Sequence, residues 1–411
     1  MKTFNLQVMF RFLSTLKRQA MNLKRIGLLI LIPGCFLVNI SGCSGGAEHG
    51  IGYIPPFTLS WAIASGDLDG DGLSDLAIGH SGGSGAPHSI TLWFQNPATP
   101  GNFIKSELFI TYSPMGIKLV DLNGDNRLDI IVISGANISI YLQDSAVNGK
   151  FPTEVTYKMP SGSSRNIAES GDLNGDGKVD IAAVNGNGVF IFYQDPANPG
   201  SFFPNVTILE NIGVTSLAIE DLNGDGLDDI AVSHYLQNKI SVYLQDPSSL
   251  GTFIDAAGYV TSNGPDYINI GDLNGDNEPD IVVSGAKFIS IYFQDLNQPG
   301  SFFGPTSYSL NDNLDEIEIG DLNQDGFNDI AVISYLSDSM LIILQDSLSP
   351  GTYLPPTRYG QPTPFDITLG DYNNDNKLDI AVACSEIDYV YFQDSANPGK
   401  YLLPPYVVEN Q

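Results

Sequence analysis

The chain has three cysteines and four histidines in 411 residues. So few soft or nitrogen ligands leave no disulfide framework and no set of side chains suited to zinc or copper. Lys and Arg number 18 against 47 Asp and Glu, a net charge of −29. Nucleic acid needs clustered basic side chains, so this balance argues against it as a partner. The longest apolar run, "IGLLILIPGCFLVNI", has 15 residues, short of the about 20 that a membrane-spanning helix needs. His49, His80, His88 and His234 are scattered. There is no nucleophile motif and no acid pair set apart from the acidic loops described next, so the sequence reads as non-enzymatic.

What the chain does contain is one phrase repeated seven times. It runs "DLDGDGLSD" from Asp67, "DLNGDNRLD" from Asp121, "DLNGDGKVD" from Asp172, "DLNGDGLDD" from Asp221, "DLNGDNEPD" from Asp272, "DLNQDGFND" from Asp321 and "DYNNDNKLD" from Asp371. The first aspartates are 54, 51, 49, 51, 49 and 50 residues apart, so a single supersecondary unit recurs. A second phrase travels with it, as in "YQDPANPGSF" and "FQDSANPGKY", ending on a glycine and an aromatic: Phe103, Phe151, Phe202, Phe253, Phe302, Tyr353 and Tyr401. These aromatics are expected to pack between units, and the Gln-Asp pair to cap the turn through Asx hydrogen bonds. Only the first unit is longer, at "HSGGSGAPHS" between His80 and Ser89.

Within each nine-residue loop, positions 1, 3, 5 and 9 carry oxygen-bearing side chains, which would repel one another without a cation. Hard oxygen donors point to Ca²⁺, up to seven ions, with the position-7 carbonyl as a further ligand. The candidate ligands of the first loop are Asp67, Asp69, Asp71, Leu73 and Asp75, and of the second Asp121, Asn123, Asp125, Arg127 and Asp129. Asp172, Asn174, Asp176, Lys178 and Asp180 form the third set, and Asp221, Asn223, Asp225, Leu227 and Asp229 the fourth. The fifth is Asp272, Asn274, Asp276, Glu278 and Asp280, the sixth Asp321, Asn323, Asp325, Phe327 and Asp329, and the seventh Asp371, Asn373, Asp375, Lys377 and Asp379. Position 6 is only Gly or Asn, the residues that enter left-handed geometry at least cost.

An EF-hand opens the same way, but it needs a Glu at position 12 and flanking helices. Here position 12 is Ile, Val or Ala, and position 9 leads into β-branched runs such as "DIAVS". These are buried strands. Each unit reads as four short strands, the middle two most apolar and the last most polar. An open row could not bury both faces of such sheets. The expected fold is therefore all-β, a seven-bladed propeller of four-stranded blades over residues 57–411, with a calcium loop in each blade.

The seven "D-x-[DN]-x-D-[GN]-x-x-D" loops between strands resemble the FG-GAP or VCBS repeats of integrin α-subunit propellers and many bacterial surface proteins. The resemblance covers roughly residues 60 to 411 and implies a calcium-binding propeller used in recognition or adhesion. The first loop departs in having Asp69 at position 3, and the last two lack Gly at position 4.

Residues 1–42 hold six Lys or Arg and no acid, which with the apolar run describes an export signal. "MNLKRIGLLI" restarts a signal of ordinary length at Met21, so the first twenty residues read as an upstream start or a long basic leader. Ile40, Ser41, Gly42 and Cys43 resemble a bacterial lipobox, which implies a lipid on Cys43, a linker over 43–56 and a place in the bacterial cell envelope, at the outer membrane or cell surface, plain secretion being the alternative. The expectation for function is a monomeric, non-enzymatic, lipid-anchored propeller binding a protein or glycan. Its rivals are a lectin using the repeated Gln and aromatic residues between blades, and a polysaccharide-processing enzyme on the central face. Trp61, Trp93 and Cys384 are expected in the core, His234 as a packing or rim residue, and the loop between His80 and His88 as the place for a specific contact.

Overall fold

The computed structural model describes residues 58–82, 87–160, 167–210, 213–385 and 387–408. The chain divides into two units, Met1–Pro55 and Pro56–Gln411, and the described residues all belong to the second. The export signal, Cys43 and most of the loop between His80 and His88 lie outside them. No helix among the described residues is long and apolar enough to cross a membrane.

Seven antiparallel sheets follow one another along the chain, over residues 58–110, 116–158, 167–210, 214–260, 265–313, 317–360 and 364–408. Six have four strands in sequence order. In the fifth, one strand, Asp280–Tyr292, takes two strand positions: residues 280–285 pair with Pro265–Gly271 and residues 286–291 with Thr306–Asn313. These are the blades of a seven-bladed propeller. The only described helix is a single 3₁₀ turn, Tyr235–Gln237.

The strand signals in the sequence account for the layering. The second strands, such as Asp129–Ser134 and Asp229–His234, are buried along their whole length, and the fourth, such as Thr153–Lys158, alternate toward solvent. Seven hydrophobic clusters each join two neighbouring blades. The aromatic after each turn glycine lies in the cluster shared with the preceding blade: Phe202 packs with Ile131 and Ile140, Tyr401 with Ile333 and Ile342.

Every sheet comes from one continuous stretch, so no strand is exchanged to close the ring. The last seam instead holds through the cluster of Ile63, Leu76 and Trp93 with Tyr372 and Val390. Among the side-chain bonds that cross it are Ile63 N–H to Asp366 (2.9 Å), Ser65 Oγ to the Leu369 carbonyl (2.7 Å) and Ser60 Oγ to Asp388 (3.1 Å). Trp93 and Cys384 are core residues. Trp61 is not: the pairing register shifts between Ser60 and Ala62, leaving Trp61 as the extra, half-buried residue of a bulge. A bulge re-aims a side chain, and no periodicity announces one.

Candidate metal loops and axial cavity

The acidic loops join the first and second strand of every blade, and their backbone follows from the residue choices. Positions 4 and 6 are left-handed in all seven, including Asn126 (φ 63), Asn277 (φ 65) and Asn376 (φ 61) at position 6. Gln324 (φ 62) and Asn374 (φ 57) hold the same geometry at position 4, where the other loops have glycine; those two loops carry a backbone cost that the glycine loops avoid.

This curl aims amide N–H groups at the carboxylates. Oδ2 of position 1 accepts from the amide of position 6 at 2.7–2.9 Å in every loop. Oδ1 of position 5 accepts from the amide of position 7 at 2.9–3.1 Å. Position 9 is fully buried in all seven blades. Its Oδ2 takes the amide of position 2 at 2.8–3.1 Å. Its Oδ1 takes the amide of the repeated Gln at 2.7–2.8 Å.

Burial pushes the position-9 carboxyls up to about 7, and Asp129 to about 6; the two amides oppose this, and the neighbouring loop carboxylates reinforce it. A cation among these groups would reverse the balance. Asp67, Asp69 and Asp71 bring carboxylate oxygens within 4.8 Å of one another, and so do Asp272, Asp276 and Asp280. The donors are all hard oxygens, so the residues present suit Ca²⁺.

The Gln binds the two repeated phrases together. Its Nε2 donates to the position-8 carbonyl of its own loop at 2.7–3.4 Å. In five blades it also reaches the preceding blade's loop, at 2.7–3.2 Å, including Gln95 to Asp371 across the closing seam. The following Asn96 or Asp closes an Asx turn at 2.7–3.0 Å. The turn glycine then packs on the preceding blade: a Cβ on Gly200, whose φ is +81°, would stand 2.7 Å from Leu142. Turn capping was legible in the sequence; the bridge between blades was not.

Residue order shows no acid pair apart from these loops, and the structure corrects this. A cavity of about 260 Å³ lies among the first strands of blades 2 to 6, lined by Lys118, Glu169, Glu220, Asn269, Glu316 and Glu318. Lys118, Glu169, Asn269 and Glu318 each stand three residues before the first aspartate of their loop, one to a blade, so their meeting is not visible within any single unit. Lys118 pairs with Glu169. Burial, reinforced by Asp366 and opposed by Lys118, pushes Glu318 up to about 8.

The three described histidines are held by hydrogen bonds within the blades. His80 is buried, its Nδ1 3.0 Å from Ser60 Oγ. His234 is buried against Ser241 Oγ at 3.1 Å, and His88 Nδ1 accepts from the Gly82 amide at 3.1 Å.

No curated protein sequence matches the chain. Solved structures do. One is a lectin of Agrocybe aegerita, described as recognising non-reducing terminal N-acetylglucosamine: 18% identity, TM-score 0.52, covering 74% of this chain and 80% of that one. Another is a protein from Lactobacillus plantarum, with 11% identity, TM-score 0.52 and coverage of 75% and 86%. At such identities the likeness shows the fold alone. The FG-GAP-like repeat pattern matches residues 67–132, 121–183, 172–232, 221–283, 272–332 and 321–382, overlapping windows that each span two successive acidic loops. The chain thus belongs to the family of FG-GAP-like repeat proteins.

Proposed function

We propose that the protein is a non-enzymatic propeller stabilised by calcium in its seven loops, held by a lipid on Cys43 in the bacterial cell envelope, and binding a protein or glycan. The observation that carries this is the sevenfold recurrence of one loop geometry, in which the loop's own amides orient a buried carboxylate at position 9 and more accessible ones at positions 1 and 5, with three carboxylates within 4.8 Å of one another in the first and fifth loops. The ions would neutralise that crowding and lock the hairpin between the first and second strands, leaving the ring as a rigid support for a binding surface. Isothermal titration of the chelated protein with CaCl₂, paired with melting curves, tests it. Heat on titration and a higher melting temperature are expected. A melting curve indifferent to chelator would remove calcium from the account. Binding to a glycan array and to surface-protein extracts then assigns the partner class.

The Gln-based lectin pocket loses support, because the seven Gln side chains are buried and engaged with backbone. The enzyme reading gains one observation, the axial cavity with Glu318 near the Lys118–Glu169 pair. Turnover of an oligosaccharide panel, abolished by Glu318→Gln, would establish it; no turnover leaves binding.

A further inference from the structure

Strand register sorts the ring into two ends. In blade 1, Gly66 pairs with Asp75 beside the acidic loop and Thr58 with Gly82 at the opposite end. The same antiparallel order in every blade places all seven acidic loops at one end, and the first strands, which line the axial cavity, run toward it. The loops repeat, but the position three residues before them does not. Where other blades carry Lys118, Glu169, Asn269 or Glu318, blades 1, 4 and 7 have Ala64, Ala218 and Thr368. Short side chains such as Ala218 leave room, and long ones put charge around it. Glu220, two residues beyond Ala218 and so on the same face of its strand, adds a carboxyl to the lining.

Some of these polar groups are already engaged. Lys118 pairs with Glu169. Asn269 donates from Nδ2 to the Ile317 carbonyl (3.0 Å), and its Oδ1 accepts from the Ile270 amide (2.8 Å). Glu318 is different: it lies in the interior of the ring, lines the cavity and makes no hydrogen bond to the described residues. Burial favours its neutral form, the state of a carboxyl that lacks a counter-ion. Lys118 is the one cation in the lining, against the four glutamates Glu169, Glu220, Glu316 and Glu318. That surplus of negative charge suits a cationic guest.

Spacing and volume narrow its kind. Among the described residues, three carboxylates come within 4.8 Å of one another only in the first and fifth acidic loops. The axial carboxylates are therefore more spread than the ligands of one bare metal ion. The cavity of about 260 Å³ exceeds what an ion or a single water fills, and Ile167 and Tyr267 add apolar surface to its wall. We propose that the axial cavity binds a small aliphatic diamine, with one ammonium on Glu318, the other among the remaining glutamates, and the methylene chain against the apolar lining. The site requires neither turnover nor a lipid on Cys43.

Titration calorimetry of the full chain with 1,4-diaminobutane tests it. The buffer holds about 10 mM CaCl₂, to compete at the acidic loops, and about 0.15 M NaCl, to screen the surface. One diamine per chain is expected. Glu318→Gln should bind it about tenfold more weakly. Glu107→Gln, which removes an equal charge from the outer strand of blade 1, should leave the affinity unchanged. Lys118→Met, which frees Glu169, should tighten binding, and uncharged 1,4-butanediol should not bind. Melting curves report whether each variant is folded. Equal affinity in Glu318→Gln and Glu107→Gln assigns the heat to diffuse charge and overturns the site. Binding that vanishes in calcium belongs to the acidic loops or to a divalent ion, and overturns it too, as does equal binding of the diol or no binding by the wild type. If Glu318→Gln does not fold, Lys118→Met decides: tighter binding supports the site, and unchanged or weaker binding overturns it.

Discussion

At the loop end, the position-9 carboxylate accepts from the same two amides in all seven blades, whereas at the opposite end the connections differ from blade to blade. Blade 2 turns through Gly135 and Ala136, blade 4 through the 3₁₀ turn Tyr235–Gln237, and blade 5 keeps one continuous strand past Lys287. Sameness at the first end follows from a requirement common to all blades, since each must fix its hairpin and join its neighbour. The second end has no such common constraint, so its residues can be individual. Recurrence marks what builds the ring, and variation marks where a particular function can reside.

Removing the proposed calcium ions should have the largest effect on this contrast. A site with Kd ~10⁻⁴ M in ~10 mM calcium contributes about 2.7 kcal/mol. Chelation across several sites therefore exceeds the stability of an ordinary domain, and circular dichroism should show the ring unfolding well below its calcium-loaded melting temperature. Next in size is Asp229→Ala, which strips the Gln245 and Leu222 amides of their acceptor at about 1–3 kcal/mol each; urea unfolding reads the loss, and Asp229→Asn should recover part of it.

The closing seam should respond to pH. Burial pushes Asp388 up to about 7 from 3.8, so the fold favours its neutral form. Its contribution to stability is present in full below pH 3.8 and is lost as pH rises toward about 7. The melting-temperature difference between wild type and Asp388→Asn, in excess calcium, should therefore shift in favour of the variant over that window.

A finer comparison lies between two glutamines. Gln194 Nε2 bonds the Leu122 carbonyl of the preceding blade at 2.8 Å, and Gln294 has only its own blade's Pro279. Gln194→Ala should cost about 1 kcal/mol more than Gln294→Ala. Smallest of all, Leu236→Ala at the variable end should change stability by no more than about 0.5 kcal/mol.

Much of this was readable from residue order. Apolar runs such as "DIAVS" after each acidic loop ruled out an EF-hand, and Gly or Asn at position 6 forecast left-handed backbone. The glutamine was half legible: capping of its own turn acts over six residues, but the acceptor of Gln194 lies 72 residues away. Trp61 reads as core by type and is left only half-buried because a bulge turns it out. Glu169, Glu220 and Glu318 look like ordinary outward positions of alternating strands until the ring wraps them round a common axis.

The sequence alone determined the repeat, the strands, the loop curvature and the oxygen-rich donor sets, because each depends on residues within about ten positions of one another, where propensity and spacing act directly. Only the tertiary structure decided the inter-blade bridges, the meeting of the axial carboxylates, the buried seam and the ring contacts of Phe365 with Trp61 and Tyr335. Each of these joins residues from different blades, and their proximity is set by closure of the ring, a long-range condition that no local pattern encodes.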